Sequence, residues 1–145
     1  MKKKFKRVLV VLGGTSGERP ISLDSGKACI KALKKKKYIV STFDPKFKNF
    51  NLIERSKIDV IFNALHGKDG EDGVAQSYFE YLKIPYTHSG IISSYNAMNK
   101  IISKKIFIKN KITTPKFFYL KKKWDKKKEY SFTNKKKQNE FSCSS

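Results

Sequence analysis

An α/β fold, with an open parallel sheet flanked by helices in a Rossmann-like arrangement, is what this sequence predicts. Three observations carry that prediction. Short apolar runs rich in Val, Ile and Phe recur along the first ninety residues, at 8–12, 38–43 and 58–64. Each is followed, across a polar loop, by another stretch of regular pattern, and such alternation argues for a parallel sheet with covering helices. Two of the runs also end in glycine-rich loops, 13–19 and 66–73.

Residues 5–12 read as the first strand, apolar on successive positions as buried parallel strands are. The run halts at Gly13-Gly14, where the lack of a Cβ lets backbone N–H groups approach a ligand. Pro20 then suits the first turn of a helix, where a missing N–H costs nothing. That helix is expected from Pro20 to about Lys36, closed by a lysine run matching the negative pole of its dipole. Residues 38–43 form a second strand, closed by Asp44-Pro45, and 46–57 a polar connection with a short helical turn around Leu52 and Ile53. Residues 58–64 form a third strand, 74–82 a helix and 84–87 a short fourth strand. Apolar positions at Ala97, Met98, Ile101, Ile102, Ile106 and Ile108 predict one more helix over 93–110, with Ser103, Lys104 and Lys105 turned outward or towards a ligand. Residues 112–120 read as the start of a further strand. From 121 to 145 lysine dominates, the aromatics show no period, and the segment reads as unfolded or marginally ordered.

In such a sheet, ligands collect beyond the carboxyl ends of the strands. Both glycine loops leave carboxyl ends, so they are expected to face one crevice. Glu18, at the tip of the first loop, is either a surface charge or a group aimed at a cationic substrate. His66 stands at a strand end in a loop with the Glu71-Asp72 pair, balanced between a structural and a functional role. The loop GGTSGE lacks the dinucleotide spacing and the P-loop lysine, and the acidic pair lacks EF-hand spacing.

The chain of 145 residues has room for one ordinary domain. Its net charge of +21 invites a nucleic-acid reading, but Arg7, Arg19 and Arg55 are the only arginines among 33 cationic residues. Base reading favours the bidentate fork of arginine, so the lysine excess, beside abundant Ile, Phe and Asn, reads as genome composition rather than as a specific nucleic-acid partner. Cys29 and Cys143 make neither a disulfide framework nor a metal spacing. The start, MKKKFKRVLVVLGG, imitates a secretory signal, but its apolar run is too short. No segment approaches transmembrane length, so a cytoplasmic protein without membrane attachment is expected.

Three stretches in order, LGGTSGERPISLDSG, ALHGKDGEDGVAQSYFEYLKIPYTHSG and AMNKIISKKIF followed by ITTPKF, resemble the amino-terminal half of D-alanine–D-alanine ligases, members of the ATP-grasp ligases. The resemblance runs from about Lys6 to Phe117. It implies a substrate-binding (pre-ATP-grasp) domain over 1–96, the start of the ATP-grasp domain over 97–120 and a lysine-rich tail over 121–145. It implies a chemistry in which ATP phosphorylates the carboxylate of one D-alanine and the amine of a second attacks the acyl phosphate, giving the dipeptide for peptidoglycan. Glu18 occupies the place of the family's catalytic glutamate that holds the first D-alanine's ammonium. Gly13, Gly14, Ser22, His66 and Gly67 would line that substrate pocket, and Lys100, in MNK where relatives often have MDK, would reach nucleotide phosphate. ATP and Mg²⁺ are the implied cofactors. The family's second phosphate lysine, serine-rich loop, substrate arginine and acidic Mg²⁺ ligands have no counterpart here. The chain is therefore expected to be an amino-terminal fragment of such a ligase, inactive alone, with a separately encoded carboxyl-terminal half as one candidate partner; the alternative is a non-catalytic standalone small-ligand-binding module. A homodimer is left open.

Overall fold

The central strand β1 (Arg7–Val11) is the most buried element of the chain, with Val10 and Val11 wholly inaccessible. In the computed structural model, which describes residues 5–118, it is paired on both sides, in parallel. β2 (Ile39–Phe43) lies on one side with Arg7 opposite Ile39 and Val11 opposite Phe43. β3 (Val60–Asn63) lies on the other with Val8 opposite Val60 and Val11 opposite Asn63. The order is therefore β2-β1-β3. Two parallel neighbours explain why β1 is apolar on both faces.

The crossover from β1 to β2 is α1 (Arg19–Lys35), entered through Pro20 and left through Lys37 in the left-handed region. Lys34 and Lys35 occupy its last turn, where cations complement the dipole. It covers one face of the sheet: Leu23, Ile30 and Leu33 pack against Val8, Val10, Leu12 and Ala64. Gly26 lets it approach the end of β1 closely, since a Cβ built there would stand 2.7 Å from Leu12 Cβ. The other face is covered by α2 (Val74–Tyr81) and the 3₁₀ turn Phe50–Leu52. Here Leu9, Val11, Phe43, Phe50, Ile61, Leu65, Phe79 and Ile84 form the larger core. Phe79 has no exposure, and its ring meets Phe50 edge-on at 5.8 Å and Tyr86 at 5.4 Å.

Four sequence expectations need correction. Residues 84–87 are not a strand: Tyr86 makes a single parallel bridge to Ile61. Ile61 N donates to Pro85 O at 2.8 Å and Thr87 N to Ile61 O at 3.0 Å. Pro85 has no N–H to extend the ladder, and left-handed Lys83 and His88 bend the chain on either side. The single helix over 93–110 is two, α3 (Ile91–Met98) and α4 (Lys100–Lys109). Asn99 separates them in an extended conformation, its Oδ1 accepting from the backbone of Ile101 and Ile102 at 3.1 Å each. An N-cap asparagine in mid-pattern is a helix start signal, so the apolar period alone misled. Residues 112–118 carry no strand; 119–120 and the tail 121–145 lie outside the described residues. Ser103 is buried rather than outward, donating to Lys100 O at 3.2 Å, while Lys104 donates to Thr114 Oγ1 at 2.7 Å.

Met1–Pro115 form one unit of the chain and Lys116–Ser145 a second, of which residues 116–118 are described. Among the described residues, no helix is long and apolar enough to cross a membrane.

Candidate functional site

The loops after β1 and β3 meet beyond the carboxyl ends of their strands, and side chains of α1 and of the first loop join them. Gly13 and Gly14 both take left-handed backbone, at φ +86° and +76°, which turns the chain away from the sheet. The Gly13 N–H donates to Ser22 Oγ at 2.8 Å, and Ser22 Oγ–H donates to Ala64 O at 2.7 Å. Ser22 is fully buried. Its hydroxyl therefore couples the first loop to the end of β3, and both of its hydrogen bonds are to backbone. Replacing Ser22 by Ala leaves a buried donor and a buried acceptor unpaired, so we expect a loss of about 1–3 kcal/mol in stability, read as a lower urea midpoint. No loss would mean that water enters between the loops.

A second clamp ties the first loop to the end of β2. Arg19 Nη2 donates to Asp44 Oδ2 at 2.8 Å, and Arg19 Nη1 to Asp44 Oδ1 at 3.1 Å and to Gly14 O at 2.8 Å. Gly14 N also donates to Asp44 Oδ1 at 3.0 Å. Partial burial pushes the Asp44 carboxyl up, but hydrogen bonds from Arg19 and from the backbone of Lys46 and Gly14, with the guanidinium charge, bring it below the usual carboxylate range. At the opposite end of the sheet, Arg7 and the backbone of Lys6 and Arg7 hold Asp59 far below that range. Both acids are depressed in the folded state, so their stabilisation is complete above the unfolded value of about 3.9 and is lost as pH falls through the folded values. We expect the denaturation midpoint to drop on acidification below about pH 4, and less steeply in Asp44→Asn. A midpoint flat down to about pH 3 would mean these pairs are not formed.

The second loop brings His66 and Gly67 to the first. Ser16 Oγ–H donates to His66 O at 2.7 Å, and Glu18 N donates to Ser16 Oγ at 3.1 Å. The His66 ring lies with Nε2 3.0 Å from Ser25 Oγ and Nδ1 3.7 Å from Glu71 Oε1. Gly67, at φ +70°, faces the Glu18 carboxylate: a Cβ there would stand 2.8 Å from Glu18 Oε1. Glu18 is the N-cap residue of α1 yet makes no side-chain cap. It is exposed, and its carboxylate has no hydrogen-bond or ion-pair partner among the described residues.

A cavity of about 320 Å³ opens at the same edge, lined by Gly13, Gly14, Thr15 and Ser16 from the first loop and by Leu65, His66, Lys68 and Asp69 from the second, over Phe50 and Tyr78. Glu18, Ser22 and Gly67 do not line it. The carboxylate beside Gly67 is the chemically sharper feature, because it is a charged group without a partner rather than a space. Of the sequence candidates, Gly13, Gly14, Glu18, Ser22, His66 and Gly67 are brought together. Lys100, exposed at the first turn of α4, is in neither the loop cluster nor the cavity lining. Arg19, Asp44, Ser25 and Ser16 were missed as parts of the site. Ser22 and Ser25 stand three apart on α1, and that spacing on a sheet-facing helix was the available signal. Among the described residues no group of three or more His, Cys, Asp or Glu could hold a metal ion.

Comparisons with known proteins agree with this architecture. The family described as D-ala D-ala ligase N-terminus matches residues 43–89. The chain is 54% identical over 121 residues to a D-alanine–D-alanine ligase of Pelagibacter ubique, covering 83% of this chain and 40% of that protein. It is 53% identical over 103 residues to D-alanine–D-alanine ligase B of Mesorhizobium japonicum, covering 71% and 33%. Among solved structures, the Bacillus anthracis ligase complexed with ATP superposes with a TM-score of 0.72 at 38% identity, over 89% of this chain and 43% of that one. The VanG D-Ala:D-Ser ligase of Enterococcus faecalis superposes at 0.65 with 26% identity, over 78% and 44%. The chain thus spans 33 to 40% of the length of these curated relatives.

Proposed function

We propose that this chain works as the amino-terminal region of a D-alanine–D-alanine ligase, an ATP-dependent carboxylate–amine ligase, and that its share of the work is the first D-alanine subsite. One observation carries the reading. Glu18 holds an ionisable carboxylate at a loop crossing, engaged neither in capping nor in an ion pair, against a glycine that leaves its approach open. An ammonium group is the natural partner for such a carboxylate, because a charge-assisted hydrogen bond is stronger than a neutral one. The crossing itself is held by backbone-directed bonds from Ser16, Ser22 and Arg19, so the backbone that carries Glu18 is in place before the ligand arrives.

The dipeptide-forming reaction needs the carboxylate of one D-alanine activated by phosphorylation and then displaced by the amine of a second, with phosphate leaving. The loop cluster around Glu18 serves the first amino acid in that sequence by holding its ammonium. Lys100 supplies a cation towards nucleotide phosphate, where positive charge offsets the charge of the transferring group. No step is assigned to Mg²⁺. Peptidoglycan precursor synthesis and a cytoplasmic site follow from this reading.

The test combines the purified chain with the carboxyl-terminal region of the Pelagibacter relative, as a separate polypeptide, in the presence of ATP, Mg²⁺ and D-alanine. Phosphate release and dipeptide are expected when both polypeptides are present and not from either alone. Lys100→Ala is expected to raise the ATP requirement and leave the D-alanine requirement unchanged. Dipeptide made by this chain alone would overturn the division of labour. No turnover with both, together with no response of Glu18 to D-alanine, would favour a binding module for another small ligand.

A further inference from the structure

Both nitrogens of the His66 ring face groups of this chain, which changes what that side chain is for. Ser25 has a single hydroxyl proton. Ser25 Oγ lies 2.8 Å from Ile21 O, one turn back along α1, with Ser22 O a poorer acceptor at 3.3 Å. With that proton directed to Ile21 O, Ser25 Oγ accepts from His66, and the ring must carry its proton on Nε2. On the opposite edge of the ring, Glu71 places Oε1 3.7 Å from Nδ1 while its Oε2 accepts from Gly67 N at 3.1 Å. The Nε2 proton is present in the neutral ring of this tautomer and in the cation alike, so the arrangement does not depend on ring charge.

The bonds close into a frame. Glu18 is tied to His66 through Ser16, whose Oγ accepts from Glu18 N and donates to His66 O. The His66 ring is tied through Ser25 back to α1, at whose first turn Glu18 stands. Gly67, against which the Glu18 carboxylate lies, is tied to Glu71. We propose that Ser25, acting through His66, and Glu71, accepting directly from Gly67 N, are positioning residues that form a clamp fixing Gly67 opposite the Glu18 carboxylate. In terms of the ligase reading, on which this role in substrate binding rests, His66 holds the subsite together rather than touching the substrate through a ring nitrogen.

The test uses the chain itself, labelled with ¹⁵N. Ring N–H protons of solvated histidines exchange too fast to be seen, whereas one held in a hydrogen bond gives a signal. A ring N–H signal on Nε2, assigned by its loss in His66→Gln, is expected. Ser25→Ala should abolish it and shift the amide signals of Glu18 and Gly67, and Ser25→Thr, which keeps the hydroxyl, should restore both. Glu71→Gln should keep the Nε2 signal, since a carboxamide can still accept from Gly67 N. A ring signal on Nδ1, no ring signal in the native chain, or a signal indifferent to Ser25→Ala would each overturn the clamp. Adding D-alanine separates this outcome from the function reading: an intact ring signal with Glu18 and Gly67 amides unmoved by D-alanine supports the clamp and counts against the substrate alone.

Discussion

Phe79→Ala is expected to destabilise the chain by about 3–5 kcal/mol, more than the truncation of any aliphatic neighbour in the same core. The ring has no exposure and stands at the centre of the larger core, between Phe50 and Tyr86 and beneath Leu9, Val11 and Ile61. Truncation removes the transfer energy of the ring and leaves a hole that neighbours on three different segments cannot close together. Domains of this size hold about 5–15 kcal/mol in all, so the variant should approach the edge of foldedness. The measurement is the urea midpoint at unchanged m-value, with Phe79→Leu as a milder control. A loss below about 1 kcal/mol would mean that α2 is not seated on the sheet.

Glu18→Ala should be the largest functional lesion in this region. In a ligase completed with a carboxyl-terminal region, the first D-alanine should bind about 10- to 150-fold more weakly, the equivalent of about 1.5–3 kcal/mol for one charge-assisted contact. ATP affinity should stay as it was. The stability cost should be small, because the side chain is exposed and makes no cap. Steady-state titration of D-alanine against saturating ATP reads the effect, and an unchanged D-alanine dependence would make Glu18 an ordinary surface charge.

Much of the frame was legible in the sequence because it rests on local patterns. β1 and β3 announce themselves by unbroken apolar residues, α1 by Pro20 at its start and lysines at its end, and both glycine loops by position after a strand. What was not legible depends on partners distant in sequence or on a single competing signal. Arg19 and Asp44 are 25 residues apart, and only the parallel register of β1 and β2 brings them together. Ser25 and His66 are 41 apart, joined where α1 passes the loop that follows β3. The segment at Tyr86 had the right composition for a strand, but Pro85 has no N–H for a ladder. Asn99 shows the reverse case: a single residue inside an apolar period caps a new helix, its side-chain oxygen accepting from the first turn of α4.

The open side of β2 has a consequence of its own. Among the described residues β2 pairs only with β1, and Ile39 is 66% exposed on it. Such a border offers unpaired peptide groups to any second strand that arrives, including one from another copy. Four consecutive lysines, Lys34 to Lys37, stand just before β2, separated only by Tyr38, within a chain carrying a net charge of +21. Two copies meeting edge to edge would bring these cations together, and mutual repulsion keeps them apart over a screening distance of about 10 Å at 0.1 M salt. At 1 M that distance contracts to about 3 Å, inside the spacing of neighbouring strands. Ionic strength therefore sets how strongly the lysines at this border repel a second copy.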